Sequence, residues 1–215
     1  MFDPKKFSVP EPKPLPVVLL LDVSDSMNLT ISGMAGEKTK IEELNEAVKK
    51  MIDTFAKEKM EIQILVSIIT FGDEVRLHIP YTKASQVQWE GLQANGMTPM
   101  GTALKMAKAM IEDRDVTPSR ACRPTVVLVS DGQPNDSWEE PLESFISGGR
   151  SQKCDRMAMA IGSDADEEVL NRFIRGTKHK LFRAGDASQL HEFFQFLTMS
   201  VVMRSKSKNP NEIPD

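Results

Sequence analysis

The stretch Val17-Val18-Leu19-Leu20-Leu21-Asp22-Val23-Ser24-Asp25-Ser26 decides the fold. It is short, uniformly apolar up to a single carboxylate, and β-branched at several positions. A half-buried strand would alternate apolar and polar residues. A run without alternation fits a strand covered on both faces, as in a parallel sheet. Asp22 then stands at the strand's carboxyl end. Ser24 and Ser26 follow at alternate positions, so all three oxygen-bearing side chains can be aimed into one loop crater.

Working outward, the rest of the chain alternates strand and helix patterns. Residues 1–16 carry five prolines in a polar context. They predict an extended lead-in over 1–14, ahead of a domain spanning 15–203. Ile41, Leu44, Val48, Met51, Ile52 and Phe55 make one apolar stripe at helical spacing within 40–59. Strands are predicted over 62–71 and 75–79, joined through Gly72-Asp73 as a hairpin and closed by Pro80. A loop over 92–100 leads to a helix over 102–112, then a strand at 125–130. A helix over 138–146, a strand at 157–161, a helix over 167–174, a strand at 180–183 and a helix over 187–203 follow. Residues 204–215 look like a flexible, solvated basic tail. The alternation implies an α/β fold of three layers, a doubly wound, mostly parallel six-stranded sheet with one antiparallel edge strand.

Composition narrows the function classes. A chain of 215 residues can bury about 70% of its surface without disulfides or metal staples. Lys and Arg number 27 against 31 Asp and Glu, a net charge of −4, which argues against nucleic-acid binding through bulk charge. The longest apolar run, Val17–Leu21, is far too short to span a bilayer, and the N-terminus lacks the apolar core of a signal peptide. With only two cysteines, Cys122 and Cys154, the expectation is a cytoplasmic protein with free thiols.

Three segments at predicted strand ends carry hard oxygen groups: Asp22 to Ser26, Gly96-Met97-Thr98-Pro99-Met100-Gly101, and Ser130-Asp131-Gly132. A hard divalent cation takes oxygen ligands, and Mg²⁺ takes six in a near-octahedral array. Asp22, Ser24, Ser26, Thr98 and Asp131 are therefore the candidate metal ligands. Two carboxylates balance the ion's charge, hydroxyls and water complete the shell, and one position stays open. Mg²⁺ or Mn²⁺ is expected in preference to Ca²⁺.

These segments resemble, in order, the three motifs of the metal-ion-dependent adhesion site (MIDAS) of von Willebrand factor A domains. Asp22, Ser24 and Ser26 match the first motif, Thr98 the threonine of the second and Asp131 the aspartate of the third. The resemblance covers about residues 15–203. It implies a Rossmann-like fold and a non-catalytic module whose metal accepts an Asp or Glu carboxylate from a protein partner. The stretch from Asp131 to Trp138 is similar to the bacterial tellurite-resistance TerY and YegL-like stand-alone A domains. That narrower likeness implies a stress response with kinase and phosphatase partners. Asp25 departs from the family's usual Gly and adds negative charge beside the site, with the expectation of tighter metal binding or repulsion of an acidic partner.

Other readings are weaker. A phosphotransferase with Asp22 as nucleophile wants a second carboxylate two residues on, and Ser24 stands there. The alternatives to a recognition module are a Mg²⁺-dependent phosphotransferase or hydrolase, and a structural subunit whose metal stiffens loops. Gly33 to Thr39 misses a phosphate-binding loop because Glu37 precedes Lys38. His78, His179 and His191 are scattered, without Cys or carboxylate at ligand spacing along the chain. Met27, Met34, Met97 and Met100 fall on loops near the proposed ion. Thioethers are too soft to bind Mg²⁺, so they form either a partner-gripping rim or gap fillers beneath the loops.

Overall fold

The computed structural model describes residues 12–34, 36–58 and 62–212. β1 (Pro14–Asp22), α1 (Lys40–Lys57), β2 (Gln63–Phe71), β3 (Val75–Lys83) and α2 (Met100–Glu112) form the first half. β4 (Thr125–Ser130), α3 (Glu139–Ser147), β5 (Asp155–Ile161), α4 (Glu167–Phe173), β6 (Phe182–Ala184) and α5 (Ala187–Lys206) complete it. The sheet runs β3-β2-β1-β4-β5-β6, with only the β2–β3 pair antiparallel. This is the expected three-layer α/β architecture.

The pleat sorts the core into two faces. Val17, Leu19 and Leu21 pack with α1 and α5, while Val18 and Leu20 pack with α2, α3 and α4. Every residue of β1 is buried, which is why it reads as a continuous apolar run. α1 starts where a capping box sits: Thr39 Oγ1 accepts from the Glu42 amide, and the Glu42 carboxylate accepts from the Thr39 amide.

Two expectations are corrected. β3 does not close at Pro80 but continues to Lys83. On an edge strand a proline costs no ladder bond, and the pairing with β2 shifts register between Val66 and Ile69. Ser67 Oγ donates to the Ile79 carbonyl across that irregularity, at 2.9 Å.

The second correction concerns the expected flexible tail at 204–215. α5 continues to Lys206, and Arg204 is among the largest fully buried side chains. Its guanidinium donates to Thr125 Oγ1 at 2.6 Å, the Arg123 carbonyl at 2.7 Å and the Pro210 carbonyl at 3.0 Å. Asn211 Oδ1 accepts from the Arg123 amide at 2.7 Å. A buried charge with several acceptors replaces the solvated end that the basic composition implied. Residues 213–215, and residues 1–11 of the expected lead-in, lie outside the described residues. Among the described residues, no helix is long and apolar enough to cross a membrane.

Candidate metal centre

β1 and β4 are neighbours at the middle of the sheet. From β1 the chain goes to β2 on one side, and it later returns to β4 on the other. The crevice at the carboxyl ends of such a pair is where open α/β sheets hold ligands. Asp22 is the last residue of β1, and Asp131 directly follows the last residue of β4. The register that puts Leu21 opposite Val129 brings Asp22 beside Ser130.

Hydrogen bonds link the two strand ends into one cluster. Asp22 Oδ1 accepts from the Ser24 amide at 2.9 Å, and Asp22 Oδ2 accepts from Ser130 Oγ at 2.6 Å. Ser24 Oγ and Ser26 Oγ lie 3.1 Å apart, and Ser26 Oγ donates to Asp131 Oδ1 at 2.8 Å. Thr98 enters from the loop before α2. A Cβ placed on Gly132 would lie 3.6 Å from Thr98 Oγ1 and 3.9 Å from Ser26 Oγ, so both hydroxyls border the same small volume. The structure therefore brings Asp22, Ser24, Ser26, Thr98 and Asp131 together.

The electrostatics are those of a site short of positive charge. Asp22 and Asp131 are fully buried. Burial raises the Asp22 carboxyl from 3.8 to about 6; bonds from Ser130 and Ser24 pull it back, and the Asp131 charge pushes it up further. The donor set is all hard oxygen, with two carboxylates among hydroxyls. It fits a hard divalent cation, and no sulfur or imidazole belongs to it.

Four supporting residues were not among the expected ligands. Lys40 is 4% exposed, and its Nζ donates to Asp131 Oδ2 at 2.7 Å. Ser130 holds Asp22. Asn135 clamps Thr98 from both sides: its Oδ1 accepts from the Thr98 amide at 3.0 Å, and its own amide donates to the Thr98 carbonyl at 3.1 Å. Asp136 accepts from the amides of Gly101 and Thr102 and from Thr102 Oγ1, at 2.8–2.9 Å, satisfying the first turn of α2. Gly101 is needed there, since a Cβ would stand 2.5 Å from the Ser137 carbonyl oxygen. The Asn-Asp pair after Asp131-Gly132 was the available signal, although a sequence does not say which amides it meets.

Asp25 has a more local role than a free negative charge. Its amide donates to the Gly96 carbonyl at 2.9 Å, and its Oδ1 accepts from the Gly96 amide at 3.1 Å. It ties the first loop to the second.

The methionines divide. Met27 and Met100 are fully buried fillers, whereas Met97 and Met34 are 61% and 64% exposed. Two histidines that looked isolated in sequence meet carboxylates in space: His179 lies 2.8 Å from Asp155, and His191 lies 2.9 Å from Glu43, with Glu46 close by. Cys122 and Cys154 are buried free thiols, and desolvation pushes Cys154 up to about 12.

Solved structures share this architecture at low identity. PilB minor pilin from Streptococcus sanguinis matches 92% of this chain at 14% identity, with a TM-score of 0.65, and 63% of its own length is covered. A von Willebrand factor type A protein from Catenulispora acidiphila matches 88% at 20% identity and a TM-score of 0.64, with 42% of its length covered. Proximal thread matrix protein 1 from the mussel byssus, described with a zinc-occupied MIDAS motif, matches 87% at 15% identity and a TM-score of 0.61, with 48% covered. The chain thus spans less than two thirds of each of these proteins. Among curated proteins, none matches it in sequence. The von Willebrand factor type A domain model matches residues 17–196, which is most of the chain, and the protein belongs to that family.

Proposed function

We propose that this chain is a metal-dependent protein-recognition module without catalytic activity. The observation that carries the reading is the convergence of five oxygen-bearing side chains, from three distant segments, at the β1–β4 crevice. Asp22, Ser24, Ser26, Thr98 and Asp131 would hold the ion, with Mg²⁺ or Mn²⁺ suited to the donor set. Zinc in the mussel-byssus relative's MIDAS motif supports a divalent ion here. A bound divalent cation supplies the charge that draws a partner's Asp or Glu carboxylate. Exposed Leu29, Met34 and Met97, on loops leading to or from the site, supply apolar surface for the same partner. No second carboxylate stands two residues after Asp22 to act as acid or base, and Ser24 serves as a hydrogen-bonding hydroxyl instead.

The likeness of Asp131–Trp138 to tellurite-resistance A domains extends the reading to a cytoplasmic stress role beside a kinase and a phosphatase. Thermal melting tests the metal reading. Mg²⁺ or Mn²⁺ at about 100 times its dissociation constant stabilises the fold by about 2.7 kcal/mol relative to chelator. A melting temperature indifferent to both ions and to chelator overturns it. Affinity capture from native lysate with Mg²⁺, followed by chelator elution, tests the partner reading. A kinase or phosphatase in the eluate supports the narrower role, and capture that ignores chelator refutes metal dependence.

A further inference from the structure

Lys40 is a buried lysine whose ammonium donates to a candidate metal ligand. Its backbone is fixed on both sides. Its amide donates to the Leu29 carbonyl at 2.8 Å, and Thr39 before it is locked in the capping box that starts α1. Leu29 lies three residues beyond Ser26, so the exit of the first metal loop and the root of the lysine share one anchor. Gly162, after β5, closes over the ammonium: a Cβ there would lie 3.5 Å from Lys40 Nζ, at a backbone φ of +75°. The side chain is thus built into the site from its far side. It takes Asp131 Oδ2, while Asp131 Oδ1 stays with Ser26 Oγ on the side of the candidate ligands.

We propose that Lys40 is a fixed counter-cation that sets the charge of the loaded metal centre, weakening metal binding while strengthening capture of an anionic partner group. The inference rests on the metal-binding reading above. Asp22, Asp131 and Lys40 are the buried charges of the site. Together they carry one net negative charge. A divalent cation turns that into one net positive charge, which an incoming carboxylate neutralises. Without the lysine the loaded centre would be neutral and would attract a carboxylate less. The metal itself would meet two carboxylates with no competing cation. At the effective dielectric of such sites, one neighbouring unit charge changes ion affinity by about tenfold or more. A lysine with only a structural role makes no such paired, opposite change.

The test measures two affinities in the wild type, Lys40→Gln and Lys40→Met. Mn²⁺ affinity is read by calorimetry. Acetate affinity of the Mn²⁺-loaded protein is read from the water-proton relaxation lost as acetate displaces bound water. Lys40→Gln removes the charge and retains an amide donor on the same side, one bond nearer the backbone than Lys40 Nζ. Lys40→Met removes both, and its Mn²⁺ affinity is read by competing a chelator against the Mn²⁺-loaded protein, so that Asp131 is not left buried and uncompensated at the start. In both variants Mn²⁺ should bind about tenfold tighter or more, and acetate several-fold weaker. Unchanged or weaker Mn²⁺ binding in Lys40→Gln, or two affinities moving in the same direction, overturns the inference and leaves the metal site standing. Absence of Mn²⁺ binding in the wild type overturns the metal reading and this inference together.

Discussion

Replacing Asp22 with Asn separates what its carboxylate does for metal binding from what it costs the metal-free fold. Burial lifts this carboxyl to about 6 in the folded chain, against 3.8 for an unperturbed group. The folded state therefore holds the proton more tightly than the unfolded state. Its favourable contribution is fully present at low pH and is lost as pH rises from about 4 to about 6. A shift of about two units corresponds to roughly 3 kcal/mol of burdened stability above that window. Asn keeps the shape, its Oδ1 can still accept from the Ser24 amide, and its amide nitrogen can face the Ser130 hydroxyl. In chelator near pH 8, Asp22→Asn should therefore melt higher than wild type, by up to about 6–12 °C at the roughly 2–4 °C per kcal/mol of a chain this size. Near pH 4 the advantage should shrink, because wild-type Asp22 is then protonated. With Mg²⁺ or Mn²⁺ at saturation the wild type gains stability and the variant does not. Differential scanning fluorimetry across pH, with chelator and with metal, reads all of this. A variant no more stable than wild type in chelator near pH 8, or one with the same advantage near pH 4, refutes the argument.

Three further substitutions are decided by burial. Met97→Ser should leave the melting temperature within about 1 °C of wild type and weaken metal-dependent partner capture, whereas Met100→Ser should destabilise by about 2–5 kcal/mol in denaturant unfolding. Arg204→Met should cost about 3–5 kcal/mol by the same assay, because Thr125, the Arg123 carbonyl and nearby Asp155 lose a buried cationic partner.

Much of the architecture could be read from sequence because the central strands are covered on both faces. β1, β2, β4 and β5 show up as apolar runs for that reason, and the apolar stripe from Ile41 to Phe55 marks α1. Asp22, Ser24 and Ser26 were legible because alternation at a strand end projects them together. What escaped was set by contacts between distant segments. Lys40 at a helix start and Arg204 near a helix end look like solvated charges, and only the fold reveals buried acceptors for each. Asn135 meets Thr98 from 37 positions away, which composition and periodicity cannot register. Pro80 looked like a stop because its harmlessness depends on the register shift that leaves it without a partner position on β2.

The Asn135 and Asp136 clamps have a mechanical consequence. They splice the segment after β4 to the peptide of Thr98 and to the opening turn of α2, so these three pieces move as a single body. Any rearrangement that changes how Thr98 addresses the crevice must therefore drag the α2 cylinder over the sheet face that Val18 and Leu20 present. Amide-exchange labelling would register such a displacement along the length of α2, rather than at one supple loop.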